Sequence, residues 1–153
     1  MDEYINQALK EAQKSLKSDD VPIGAVIVEN NKIISKAHNT REKTKKITAH
    51  AEINAIEKAC KKKQTWHLND CVIYVTLEPC PMCLEAIKQA RIKQIYYLSP
   101  QQKHNTLKTP KQTQISNIDK ANQLLKTFFK NKRNNKNLNK TNNKHQIYNK
   151  NMI

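Results

Sequence analysis

Two short stretches about thirty residues apart constrain this chain more than anything else in it: His50-Ala51-Glu52 and Pro79-Cys80-Pro81-Met82-Cys83. One imidazole and two thiols make a three-ligand set for a zinc ion. Structural zinc sites are usually closed by four protein ligands, whereas catalytic ones keep a position for water. Glu52 lies two residues after His50, and residues so spaced do not share a helix face. It is therefore expected to point at something bound to the ion. Any fold must bring the two stretches to one point.

The rival ligands are poorly placed. Cys60 lies nearly three turns along the helix from His50, too far to close one site. Cys71 opens a strand and reads as a small core residue. His38 and His67 read as surface or rim residues. A redox Cys-x-x-Cys has no use for an upstream His-x-Glu.

The remaining pattern supplies the scaffold. Tyr4, Ile5, Ala8, Leu9, Ala12 and Leu16 form one stripe of a helix over 2–17. Residues 21–28 read as a buried strand, Asn30-Asn31 as a tight hairpin turn, and 32–37 as the returning strand. Gly24, the only glycine, marks a bulge or close backbone approach, with room for a ligand and plain packing as the two reasons. Residues 41–47 read as a charged loop. Thr48 is the expected cap of a helix reaching about Lys62. A strand follows at 71–76, then a helix with Pro81 in its first turn. A strand at 94–98, a short fifth strand at 112–116 and a helix over 117–131 complete the order. Alternation after the hairpin predicts an α/β fold, a mixed sheet with helices on both faces. Each ligand stretch falls at a helix start, where negative charge is favoured and thiols ionise more readily.

At 153 residues the chain fits one domain, here 1–133, followed by a basic Asn/Lys-rich tail over 134–153 that is expected to be disordered. The acidic start lacks the features of a signal peptide and no apolar run approaches ~20 residues, so a cytoplasmic protein is expected. The net charge of +15 is concentrated late: 12 Lys+Arg stand against one acidic residue after position 99. That points to a polyanion such as nucleic acid. Lysine-for-arginine bias and abundant Asn also fit an A/T-rich coding sequence, which accounts equally well for the far tail.

The His-Ala-Glu and Pro-Cys-x-x-Cys pair resembles the signature of the zinc-dependent nucleoside and base deaminases. More narrowly, Val21 to Val26, Asn39, Thr48 to Ile53, Tyr74 to Cys83 and Leu124 to Arg133 resemble the bacterial tRNA-specific adenosine deaminases, over roughly residues 4–133. The resemblance implies a three-layer α/β/α cytidine-deaminase-like fold with a five-stranded sheet. It also implies a homodimer and conversion of adenosine to inosine at the wobble position of tRNA. By the same resemblance His50, Cys80 and Cys83 bind one zinc and Glu52 shuttles protons. Asn39, Ile23 and Ala51 would contact the substrate nucleotide, and Phe129, Lys130 and Arg133 the anticodon loop. Of the two phenylalanines, Phe128 is expected to be buried. The chain departs from the family at Leu98 to Asn105, which is shorter and free of glycine. Two other readings stand beside this one: a free-base or nucleoside deaminase for guanine, cytosine or cytidine, and a catalytically silent RNA-binding relative.

Overall fold

The computed structural model describes residues 2–101, 111–115 and 119–150, with side chains to Leu138. The elements are α1 (Asp2–Lys14), β1 (Gly24–Glu29), β2 (Lys32–His38), α2 (Arg41–Thr44), α3 (Ala51–Lys63), β3 (Cys71–Leu77), α4 (Pro81–Gln89), β4 (Gln94–Ser99), β5 (Lys111–Gln114) and α5 (Asp119–Lys150). One mixed sheet runs in the order β2-β1-β3-β4-β5. β1 is antiparallel to both neighbours, while β3, β4 and β5 are mutually parallel.

The central strands are buried on both faces, and alternate residues divide between two cores. Ala25, Ile27, Ile73, Val75 and Ile95 pack against Ala51, Ala55 and Ala59 of α3 and Leu84 and Ile87 of α4. Val26, Val28, Tyr74 and Leu98 face Ile5 and Ala8 of α1 and Ala121 of α5. The three-layer α/β/α arrangement follows, as expected. Among the described residues no helix is long and apolar enough to cross a membrane.

The hairpin turn falls at Asn30 and Asn31, both left-handed (φ 48° and 61°), as a two-residue loop requires. Asp19, Lys45, Gln64 and Arg91 also take positive φ, at the ends of helical segments. The irregularity in the hairpin lies between Ile27 and Val28, not at Gly24. Gly24 is a site of close approach, but α1, not a ligand, occupies the space. A Cβ there would sit 1.9 Å from the carbonyl oxygen of Ala8 and 2.6 Å from the nitrogen of Ala12.

Four further expectations change. Leu16 leaves the apolar stripe and is exposed, because the chain tightens into a 3-10 turn over Ser15–Ser18 that buries Ser15 instead. The segment read as a loop over 41–47 contains the single turn α2. Helix α5 continues through Lys150, where disorder was expected from 134; the chain has no glycine or proline after Pro110 to break it. The fifth strand starts one residue early, and Ser116 to Ile118 lie outside the described residues, as does most of the departure after Leu98.

Candidate metal centre and active site

The first helix turns of α3 and α4 meet beside the ends of β1 and β3. His50 and Cys80 are the residues immediately before those helices, both with extended backbone (φ −74°, ψ 156° and φ −71°, ψ 168°). Neither side chain caps its helix, so both remain available to a ligand. Their carbonyls accept the first intrahelical bonds, from Asn54 and Leu84 at 2.9 Å each. Thr48 is not the cap. A bend in which Ala49 N–H donates to Lys46 and His50 N–H to Thr48, at 3.1 and 2.8 Å, delays the helix by two residues.

His50 Nδ1 lies 3.7 Å from Cys80 Sγ and 3.5 Å from Cys83 Sγ. The three ligand atoms fall within 4.8 Å of one another, the one such group among the described residues and one able to hold a metal ion. Cys83 is buried, whereas His50 and Cys80 are partly open. The Cys83 hydrogen bond, and after it the His50 one, draws the Cys80 thiol down to about 4. Cys83 is raised in turn, first because it donates to Cys80 and then by burial. Beside them Glu52 is only 4% exposed. Its Oε2 has no hydrogen-bond partner, and burial pushes its carboxyl up to about 7.

The other expected residues divide. Ala51 is fully buried in the core under α3. Ile23 is partly buried, and its carbonyl accepts the Asn39 N–H at 3.0 Å. Asn39 is buried, donating from Nδ2 to Val21 and accepting at Oδ1 from the Arg41 N–H, each at 3.2 Å. On α5, Phe128 is buried and Phe129 is 48% exposed. Phe129 and Arg133 line a groove of about 620 Å³ that reaches Leu77, three residues before Cys80. A smaller groove of about 270 Å³ joins Phe129 to Asn39 and Arg41 and is bordered by Lys132 and Lys136. Lys130 is exposed but lines neither. The spacing of 132, 133 and 136 from Phe129 places these cations on neighbouring faces of one helix, a signal that was present in the sequence.

Asp20 was not anticipated. It is fully buried. Its Oδ1 accepts from the Glu42 N–H at 2.5 Å, and its Oδ2 from the Lys43 N–H at 3.2 Å and the Ser18 hydroxyl at 2.5 Å. Its carboxylate thus supports the start of α2, from which Thr40 N–H bonds back to Ala49, beside His50, at 3.0 Å. Replacing one oxygen by an amide sets donor against donor. Asp20→Asn is expected to cost about 2 kcal/mol, a melting-temperature loss of ~4–8 °C. A thermal melt within a degree of the parent would contradict this.

Residues 1–133 match the MafB19-like deaminase family. The chain is 39% identical over 144 residues to the tRNA-specific adenosine deaminase of Aquifex aeolicus, covering 86% of this chain and 95% of that one. Among solved structures it resembles a tRNA:A34 deaminase from work on A-to-I editing at the wobble position of transfer RNA. That match has 31% identity and a TM-score of 0.77, covering 82% of this chain and all of the other. It also resembles guanine deaminase from Bacillus subtilis, with 39% identity and a TM-score of 0.62 over 65% of this chain and 64% of that one.

Proposed function

The chain belongs to the MafB19-like deaminase family, and from that premise we propose that it hydrolyses adenosine to inosine at the wobble position of tRNA anticodons, releasing ammonia. One observation carries the reading: a His-Cys-Cys ligand group with the buried carboxyl of Glu52, one oxygen unpartnered, beside it. A zinc ion fits this group. Tetrahedral bonds of ~2.0 Å to nitrogen and ~2.3 Å to sulfur imply N···S edges of about 3.5 Å, against 3.5 and 3.7 Å here. His50, Cys80 and Cys83 would hold the ion. Zinc there supplies a water polarised for attack on C6 of the base.

The chain's own residues do the rest. Glu52, with its proton affinity near neutrality, accepts the proton of the attacking water. It delivers that proton to N1 of the adenine, and afterwards a proton to the departing amine. The C6–O bond forms as N1 takes the first proton; the proton of the new hydroxyl then passes through Glu52 to the amine, and the C6–N bond breaks, leaving the C6 carbonyl and ammonia. Burial of Glu52 and Cys83 keeps bulk water from this exchange. Asn39, Ile23 and Ala51 would shape the nucleotide pocket. Phe129 would stack on an unpaired loop base, while Lys130 and Arg133, joined by Lys132, meet phosphates. We read the protein as a cytoplasmic homodimer of a 1–133 deaminase domain, with the basic extension 134–153 accessory to it.

Inosine at the wobble position after incubation with total tRNA tests the reading. Turnover of free bases or nucleosides alone would overturn it in favour of the second one, a small-molecule deaminase, which the likeness to guanine deaminase supports. A small-molecule enzyme has no evident use for the basic groove along α5. A silent RNA-binding relative has no use for Glu52. Lys130→Ala with Arg133→Ala is expected to weaken tRNA binding and to lower the slope of log K against log salt by about 1–2. An unchanged slope would remove both residues from the interface.

A further inference from the structure

Helices α3 and α4 also end side by side, about 20 Å from the metal ligands along the 13 residues of α3. The Leu68 N–H donates to the Ala90 carbonyl at 2.8 Å and ties the segment after α3 to the end of α4. Leu68 is fully buried and anchors this junction in the core. Next to it stands Trp66, the single tryptophan of the chain, 56% exposed. The His67 ring stacks on it with centroids 3.7 Å apart and planes 25° from parallel. The Arg91 guanidinium lies 5.2 Å from its centroid. Both His67 and Arg91 are exposed as well.

We propose that this column is a docking surface for single-stranded RNA, separate from the groove along α5. An unpaired base stacks on the exposed rings, and the neighbouring cations follow its phosphates. The charge supports that partner. Residues 61–70 and 88–93 carry five lysines and Arg91 against one acidic residue, Asp70. Lys63 alone of these pairs with a carboxylate elsewhere, that of Glu29. Lysine is depleted at protein–protein contacts, whereas cations interleaved with exposed aromatic rings mark nucleic-acid surfaces. Duplex is the poorer fit, since its bases are already stacked.

Because Trp66 is the only tryptophan, its emission reports on this surface alone. The zinc-loaded full chain is titrated with oligouridine of about twelve nucleotides, within the usual site size, which contains no adenosine. Saturable quenching is expected. Arg91→Ala should weaken the affinity about 5- to 10-fold, the scale of one stacking or cation–π contact. Phe129→Ala should leave the midpoint of quenching in place. RNA binding with unchanged emission, or no binding, overturns the proposal. So does emission that changes with protein concentration alone, which would assign the column to a second copy of the chain. The result does not depend on the deaminase reading, since loss of tRNA deamination with quenching intact would sink that reading and leave this one standing.

Discussion

Glu52→Ala is expected to lower deamination of tRNA about 1000-fold or more while the protein keeps one metal ion per chain. General acid–base groups contribute ~10²–10⁴ to rate, and on the proposed mechanism one carboxyl serves both proton transfers. Glu52 is not among the three residues whose ligand atoms converge, so its removal should leave the ligand set intact. The variant should also be no less stable than the parent. The carboxyl is buried with one oxygen unpartnered, and an unsatisfied buried polar group costs ~1–3 kcal/mol. A melting temperature equal to or above the parent's, with activity gone, is the outcome of a site that keeps a strained acid for its chemistry. Metal analysis and a thermal melt decide it. If the metal is lost along with activity, Glu52 is a ligand and the proton-transfer role is wrong.

Gly24→Ala is expected to destabilise the fold by about 3 kcal/mol or more, through overpacking. The atoms that a methyl group would meet are backbone atoms of α1, at 1.9 and 2.6 Å, and no side-chain rotation relieves them. The helix would have to move as a body. It carries Glu11, which meets His38 at 3.3 Å, and leads to Ser15, whose hydroxyl donates to the Asn39 carbonyl at 2.9 Å. Displacement therefore reaches His38 and Asn39, the latter proposed to contact the substrate. A urea titration reads the loss as a lower midpoint, accompanied by a weaker KM for tRNA. A midpoint within the error of the parent would mean that α1 does not lie on Gly24 as described.

How much of this could be read from residues alone depended on where the deciding partner lies. The ligand triad was legible because a fixed spacing and helix starts carry it, and the structure gathers the same three atoms. Asn30 and Asn31 were legible because a two-residue hairpin loop demands left-handed residues. The division between Phe128 and Phe129 followed from helical period. Gly24 was half legible: close approach is a local inference, but the identity of the neighbour is tertiary. Asp20 was invisible because it bonds backbone N–H groups of Glu42 and Lys43, and every non-proline residue carries such a group. Trp66 and Arg91 meet across 25 positions with no periodic signal to join them. The length of α5 was missed because an Asn- and Lys-rich composition argues for disorder.

The scarcity of glycine has a further consequence. Six described non-glycine residues take left-handed backbone, and for most residue types each such position costs on the order of 1 kcal/mol in the folded state. With one glycine in 153 residues, however, the denatured ensemble is also stiffer than that of a typical chain and has less freedom to lose. Each glycine avoided spares roughly 0.5–1 kcal/mol of chain entropy on folding. Strain at Lys45 or Gln64 is thus offset in the unfolded chain, where no contact of the native structure records it.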